Sequence, residues 1–176
     1  FIGEGSDRDL DLMLESIRHR GPDGKGTHTQ ANDKIFLGHN RLSIIDIATG
    51  KQPQFNEAKN IVVIFNGEIY NHLELRKELS QHGHIFKTHH SDTEVIVHGY
   101  EQWGFDLFEK LNGMFAIAIW DSSQKKLILA RDRFGEKPLY WLKTDDLFIF
   151  ASEVSSIKKH PRAKNIEIAE KSIKKL

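Results

Sequence analysis

The stretch Ile61-Val62-Val63-Ile64-Phe65-Asn66-Gly67-Glu68-Ile69-Tyr70-Asn71 joins a continuous apolar run to a polar segment. The apolar run predicts a buried β-strand over 61–65. Asn-Gly is a strong turn signal, so we expect the strand to end at Asn66-Gly67. A side-chain amide and a backbone N–H would then lie together at the end of a core strand, where two such donors can stabilise an oxyanion. The alternative interpretation is a tight turn with no further role.

The composition predicts a single domain without an electrostatic partner. The chain has 176 residues, of which 39% are hydrophobic, and this is enough for one well-buried core. The 25 Lys and Arg residues balance the 25 Asp and Glu residues, so nothing indicates a nucleic acid or a membrane surface. No apolar run approaches the length of a membrane span. The absence of cysteine rules out a disulfide framework and favours a cytoplasmic protein.

Residues before the decisive stretch predict one helix and two strands. Ser6 is a good N-cap for a helix whose apolar residues recur at helical spacing. The polar segment 24–32 is expected to be a loop, and the apolar segments 35–37 and 42–47 are expected to be strands.

Residues after the decisive stretch predict helices followed by a strand meander. A helix is expected over 73–79, and Ser91-Asp92-Thr93-Glu94 has the pattern of a capping box that opens another helix. Four short apolar strands are expected at 114–120, 127–130, 139–141 and 147–150. We therefore predict an α+β fold in which two packed sheets are covered by helices on their outer faces.

Three polar groups lie at the ends of these apolar elements: Arg41, Asn66-Gly67-Glu68 and Asp92. A guanidinium matches a carboxylate, a carboxylate matches an ammonium, and two amide donors match an oxyanion. Together they would suit an amino acid whose side-chain carbonyl is attacked. Alternatively, Arg41 is a solvated strand residue and Asp92 only an acidic residue favoured by the helix dipole.

A set of motifs carries a resemblance to a known family. They occur in this order: Arg18-His19-Arg20-Gly21-Pro22-Asp23, Arg41-Leu42-Ser43-Ile44-Ile45-Asp46, Gln52-Pro53, Asn66-Gly67-Glu68-Ile69-Tyr70-Asn71, Ser91-Asp92-Thr93-Glu94, Gly113-Met114-Phe115-Ala116 and Arg131-Asp132-Arg133-Phe134-Gly135-Glu136-Lys137-Pro138-Leu139-Tyr140. The ordered set resembles the N-terminal glutaminase domain of glutamine-dependent asparagine synthetases, a class II glutamine amidotransferase of the N-terminal-nucleophile hydrolase type.

The resemblance implies a four-layer αββα sandwich and the hydrolysis of glutamine to glutamate and ammonia. Asn66 and the N–H of Gly67 would form the oxyanion hole, while Glu68 and Asp92 would hold the substrate α-ammonium. The substrate α-carboxylate would be bound by Arg41, in a pocket also lined by the following residues: Leu42, Ser43, Ile44 and Ile45.

The chain departs from the family at the nucleophile, which is an N-terminal cysteine in that family. Phe1-Ile2 resembles the end of a strand, so we expect a chain trimmed at both ends, with the cysteine a few residues upstream. The glutaminase domain would cover 1–160, and 161–176 would begin a linker to an ATP-pyrophosphatase-type synthetase domain. As written, the chain is not expected to hydrolyse glutamine.

The resemblance also bears on cofactors and partners. The resemblance implies glutamine and the synthetase domain as partners, and neither a nucleic acid nor a membrane is expected. A homodimer is compatible with the resemblance. This domain would need no cofactor, while ATP and Mg²⁺ would serve the synthetase domain. The histidines in His82-Gly83-His84 and His89-His90 are weak metal signals, so no metal is expected.

Two alternatives remain open at this point. The chain could be a non-catalytic glutamine-binding or docking domain, or it could belong to a related amidotransferase of surface-polysaccharide biosynthesis.

Overall fold

The structure, a computed structural model, describes residues 1–42 and 50–165. Its helices are α1 (Asp7–Ser16), α2 (His72–Gln81), α3 (Asp92–Trp103), α4 (Leu107–Lys110) and α5 (Val154–Ile157). Its strands are β1 (Ile2–Gly3), β2 (Gly24–Gln30), β3 (Ile35–Arg41), β4 (Gln54–Phe55), β5 (Ile61–Ile69), β6 (Gly113–Asp121), β7 (Lys126–Arg131), β8 (Tyr140–Lys143) and β9 (Leu147–Ala151). Short 3₁₀ turns lie at Arg18–Arg20, Ala31–Asp33, Gly104–Asp106 and Pro161–Ala163.

The strands form two antiparallel sheets. The first has the order β2-β3-β1-β9-β8, and the second has the order β4-β5-β6-β7. The two central strands of the second sheet are β5 and β6. They pair without a break in register, from Ile61 opposite Asp121 to Ile69 opposite Gly113.

Three apolar clusters hold the layers together. Between the sheets, Leu37 and Phe150 of the first sheet pack against Val62 and Trp120 of the second. The clusters outside the sheets pack α1 and α5 against the first sheet and α2, α3 and α4 against the second. This arrangement confirms the predicted αββα sandwich, because each sheet has one face on the other sheet and one face under helices.

The decisive strand is longer than predicted. The expectation that it ends at Asn66-Gly67 is wrong, because β5 continues to Ile69 with Asn66 opposite Ala116 and Gly67 opposite Phe115. Strand pairing with β6 therefore overrides the local turn preference of Asn-Gly.

The polar segment 24–32 was expected to be a loop, and this is also wrong. Residues Gly24–Gln30 form β2, which pairs with β3 along its whole length from Gly24 opposite Arg41 to Gln30 opposite Ile35. As an edge strand with polar side chains, β2 carries little apolar signal and depends on β3 for its backbone partners.

The predicted caps have different outcomes. Ser6 caps α1 with a capping box, since Ser6 N–H donates to Asp9 Oδ2 at 2.9 Å. The capping box predicted for α3 does not form. The Glu94 carboxylate instead accepts hydrogen bonds from the N–H groups of Lys87 (2.7 Å) and Thr88 (2.9 Å), so it holds the preceding loop.

The remaining expectations concern the chain's ends and the segment 42–47. Leu42 lies outside any strand, and the rest of the strand predicted at 42–47 falls outside the described residues. The boundary between 1–160 and 161–176 stays a prediction. Within the described ranges, no helix has the length and hydropathy needed to cross a membrane.

The space between the sheets predicts the effect of enlarging Ala118. Ala118 is 3% exposed in β6 and belongs to the inter-sheet cluster. Because that layer is close-packed, Ala118→Leu should lower the free energy of unfolding by about 1–3 kcal/mol. Urea unfolding measures this, and the exposed substitution Lys126→Leu in β7 serves as control, with an expected change within about 0.5 kcal/mol. Equal effects of the two substitutions would contradict this packing.

Candidate functional site

A cleft of about 260 Å³ opens beside the end of β5. Its lining residues come from both sheets and from the start of α3: Arg20, His39, Asn40, Arg41, Leu42, Gly50, Gln52, Phe65, Asn66, Gly67, Glu68, Ser91, Asp92, Thr93, Met114 and Lys137. Six of the nine residues predicted for the site line it: Arg41, Leu42, Asn66, Gly67, Glu68 and Asp92. The other three, Ser43, Ile44 and Ile45, lie outside the described residues. The cleft thus brings together the separated motifs, whose individual roles remain predictions.

The edge of β5 that faces the cleft lies beyond Val63, which is opposite Gln54, the first residue of β4. Along a strand, alternate residues direct their backbone N–H and C=O groups to the same neighbour. The N–H of Phe65 is bonded to Gln52 Oε1 at 2.7 Å, and that of Ile69 to Asp92 Oδ2 at 3.2 Å. Gly67 lies between them on the same edge, so its N–H is directed into the cleft.

The side chain of Gln52 makes the hydrogen bonds to β5 that the backbone of a longer β4 would make. Its side chain donates to Phe65 O at 3.0 Å while accepting from Phe65 N, and it also donates to Thr93 Oγ1 at 3.3 Å. One amide therefore satisfies both backbone groups of Phe65 and ties β5 to the first turn of α3. The peptide bond between Gln52 and Pro53 is cis.

Only glycine fits at position 67. Its φ is +153°, and a Cβ there would lie 2.0 Å from the carbonyl oxygen of Met114 on β6. Any larger residue would push β5 away from β6 at the point where the backbone N–H faces the cleft.

Asn66 presents an unused donor. Its Nδ2 is buried and has no hydrogen-bond partner among the described residues, although the side chain lines the cleft. A buried amide without a partner costs free energy, so its persistence points to an acceptor supplied by a ligand. The amide of Asn66 and the N–H of Gly67 are adjacent along the chain, as an oxyanion hole requires.

Asp92 supplies negative charge at the opposite wall. It is 6% exposed, and burial raises the pKa of its carboxyl above the ordinary value, although the hydrogen bond from Ile69 and nearby His72 oppose this. A cation bound beside Asp92 would relieve the cost of that burial, because it would favour the ionised form.

Strand β3 supplies the positive wall and a neutral histidine. His39 and Arg41 are two residues apart and so lie on the same face of β3. Burial, opposed by a hydrogen bond with the backbone of Phe65, lowers the pKa of His39 to about 4. His39 is therefore neutral near pH 7, and the positive charge on this strand is that of the guanidinium.

Sequence reasoning did not assign Gln52, His39, Arg20 or Lys137 to the site. Gln52 and Arg20 fall in motifs of the family resemblance, and His39 is two residues before Arg41, so each carried a positional signal. Lys137 also falls in one of these motifs, the one that runs from Arg131 to Tyr140.

Lys137 is carried to the cleft by an Asp-centred turn. Asp132 accepts from the N–H groups of Phe115 (3.2 Å), Glu136 (2.8 Å) and Lys137 (3.0 Å). Burial raises the pKa of this carboxyl, but these hydrogen bonds outweigh it and the net pKa is lowered. Arg131 donates to the backbone carbonyls of Lys137 and Gly135, so side-chain to backbone hydrogen bonds hold the turn.

The family follows from comparison with known proteins. A model of the glutamine amidotransferase domain matches residues 2–176, and the chain belongs to this family.

Curated relatives share close to half of the aligned residues. Glutamine-hydrolyzing asparagine synthetase 2 of Bacillus subtilis (strain 168) is 48% identical over 149 residues, which are 85% of this chain and 19% of that protein. A glutamine-hydrolyzing asparagine synthetase of Zea mays is 45% identical over 147 residues, which are 82% of this chain and 24% of that protein. The chain thus spans about a fifth to a quarter of the length of these relatives.

Solved structures agree with the fold. A glutamine phosphoribosylpyrophosphate amidotransferase from B. subtilis, in complex with ADP and GMP, superposes with a TM-score of 0.73 at 24% identity. The match covers 89% of this chain and 41% of that chain. A structure described as the allosteric regulatory enzyme of purine biosynthesis gives a TM-score of 0.74 at 23% identity. At these identities the likeness concerns the fold, which is that of the N-terminal-nucleophile amidotransferases.

The raised pKa of Asp92 predicts a stability that depends on pH. Because the ionised carboxyl is disfavoured in the folded state, its cost is absent below the unfolded pKa of about 3.9 and fully present above the raised folded pKa. Asp92→Asn should therefore raise the melting temperature near pH 7, and the gain over the unsubstituted chain should shrink as the pH falls toward about 4.

Thermal unfolding across this pH range measures the effect. The exposed Asp106→Asn is the matched control and should show no such pH-dependent gain. An Asp92→Asn variant less stable than the unsubstituted chain at neutral pH would contradict the assigned cost.

Proposed function

We propose that this chain binds L-glutamine in the cleft and directs the side-chain carbonyl toward Asn66 and Gly67. The observation that carries the proposal is the buried Nδ2 of Asn66, which lines the cleft with no partner among the described residues. A carboxamide oxygen that becomes an oxyanion would accept from this donor and from the N–H of Gly67.

The charges around the cleft suit the other end of an amino acid. Arg41, with Arg20 and Lys137 on the same lining, offers positive charge to an α-carboxylate. Glu68 and Asp92 offer negative charge to an α-ammonium. The proposal keeps Leu42, Ser43, Ile44 and Ile45 as the neighbouring wall, as the resemblance implies.

The reaction proposed for the complete site is glutamine hydrolysis. The α-amine of an N-terminal cysteine takes the thiol proton as the sulfur adds to the Cδ carbonyl and forms a tetrahedral oxyanion. It returns that proton to the leaving nitrogen as the C–N bond breaks, which gives a thioester and ammonia. Water then cleaves the thioester to glutamate and regenerates the thiol. None of the 176 residues is cysteine, so this chain supplies the binding groups and the oxyanion donors but no thiol.

The fold has room for a nucleophile segment. Strand β1 runs antiparallel to β3, with Ile2 opposite Ile35, so residues added before Phe1 would pair with Leu37, Gly38 and then His39 at the cleft. A cavity of about 110 Å³ lies along this path and is lined by both Phe1 and Asn66. This register supports a thiol delivered to Asn66 by a short extension of β1.

At the level of the whole protein, we propose the glutaminase part of an asparagine synthetase. The identity to proteins of that name supports it, and so does the small share of their length that the chain spans. A further ATP-pyrophosphatase-type domain would bind ATP and Mg²⁺ and would use the ammonia to amidate aspartate. The protein would be cytoplasmic and could form a homodimer.

A non-catalytic glutamine-binding domain is the second candidate. Such a domain would use only the groups already in the cleft, because binding needs no thiol. The two candidates differ in one testable property: only the glutaminase domain would hydrolyse glutamine once a thiol is added to the site.

The proposal predicts gain of activity on extension. The chain extended at its N-terminus by about five residues that begin Cys-Gly-Ile should hydrolyse glutamine, since β1 at about 3.3 Å per residue would carry the thiol to the cleft. Asn66→Ala in the extended chain should lower kcat by about 10²–10³-fold. Ammonia release in a coupled assay measures both.

The same extension beginning with serine is the matched control and should be inactive. Failure of the cysteine-extended, folded chain to release ammonia would leave the binding domain as the function. Turnover by the unextended chain that Asn66→Ala abolishes would contradict the requirement for a thiol.

A further inference from the structure

A second cluster of polar side chains lies away from the cleft, between α3 and the loop that precedes it. His84 in that loop faces His98 and Glu101 of α3, and one ligand atom from each lies within 4.8 Å of the other two. His98 and Asp92 are six residues apart on α3, which places the cluster roughly 9 Å along the helix axis from the cleft.

The two imidazoles converge on one carboxylate oxygen. His84 Nδ1 lies 3.7 Å from Glu101 Oε2, and His98 Nδ1 lies 3.6 Å from the same oxygen. Ligand atoms around a tetrahedral Zn²⁺ are about 3.3 Å apart, given bonds of about 2.0–2.1 Å. Small side-chain rotations would therefore bring all three atoms into one coordination shell.

His98 has a buried ring whose polar atoms are unused. The residue is 1% exposed, and neither ring nitrogen has a hydrogen-bond partner among the described residues. Two unsatisfied nitrogens on a fully buried imidazole are costly, and a ligand on Nδ1 removes half of that cost.

Two of the three ligands, His84 and Glu101, are also oriented by hydrogen bonds to neighbouring side chains. Gln102 Oε1 lies 2.9 Å from His84 Nε2, and Asn56 Nδ2 donates to Glu101 Oε1 at 3.0 Å. The contact of Gln102 with Nε2 fixes the tautomer of His84 whose Nδ1 is free to coordinate, as the hydrogen bond on the other ring nitrogen does in histidine–zinc sites.

The electrostatics of the cluster favour a cation. His98 is within 4 Å of three carboxylates, those of Glu57, Glu94 and Glu101.

We infer that His84, His98 and Glu101 form a binding site for a divalent metal of the zinc class, with water as the fourth ligand. Two imidazoles and one carboxylate are a donor set suited to Zn²⁺. His-x-x-Glu spacing puts His98 and Glu101 on one face of α3, and His84 joins them from another element. The bound metal clips the loop after α2 to the helix that carries Asp92.

This inference departs from the expectation that the domain takes no metal. That expectation rested on His82-Gly83-His84 and His89-His90 as sequence neighbours. The site instead joins His84 to His98 and Glu101 on α3, 14 and 17 residues further along the chain, a contact that sequence spacing does not reveal.

Zinc titration of the chain by calorimetry tests the site. The unsubstituted chain should bind one equivalent of Zn²⁺, and His84→Gln and Glu101→Gln should each weaken binding at least about tenfold. Gln102→Ala removes no ligand and should also weaken binding, by about 10–100-fold. The exposed His82→Gln, on the same loop, is the matched control and should bind as the unsubstituted chain does.

Two further readouts separate ligation from folding. Co²⁺ in place of Zn²⁺ should give the visible absorption of a tetrahedral complex, which Glu101→Gln should abolish. Zn²⁺ should raise the melting temperature of the unsubstituted chain but not that of Glu101→Gln, because only the folded site binds. Absence of zinc binding, or binding unaffected by both His84→Gln and Glu101→Gln, would overturn the inference.

Discussion

The cleft depends on one constraint: β5 extends beyond its partner β4. β4 begins only at Gln54, opposite Val63, and beyond that point the outer edge of β5 continues to Ile69 with backbone groups that no strand among the described residues pairs. An open strand edge inside a domain must be satisfied by other groups. Here the side chains of Gln52 and Asp92 bond the backbone on either side of Gly67, which leaves the N–H of Gly67 directed at the cleft between them.

This constraint joins stability to function. The groups that complete the edge come from the loop before β4 and from the first turn of α3, so the edge holds both in place. In return they form two walls of the cleft. Burial disfavours the ionised form of the Asp92 carboxyl, and an ammonium ligand beside it would offset this cost.

Much of the architecture follows from the sequence. The apolar runs at 61–65, 114–120 and 147–150 predict strands that the structure contains. The number of predicted strands and helices favours two packed sheets with helices on their outer faces. The misses have physical causes: β2 is a polar edge strand without an apolar signal, and β5 passes through Asn66-Gly67 because pairing with β6 outweighs a local turn preference.

The site was less accessible to sequence reasoning than the fold. Arg41, Asn66 and Asp92 stood out because each lies at the end of an apolar element. Gln52 and His39 act through contacts with the backbone of Phe65, and such contacts depend on tertiary packing. The same holds for the unformed capping box, since Glu94 is drawn to a loop that lies next to it only in the folded chain.

The central claim is that the N–H of Gly67 and the amide of Asn66 receive the side-chain carbonyl of glutamine. NMR titration of the ¹⁵N-labelled chain with L-glutamine tests this most directly. The account predicts that the Gly67 N–H and the Asn66 side-chain NH₂ resonances shift downfield together, with one saturation curve. Glutamine binding that leaves both resonances unmoved would contradict it.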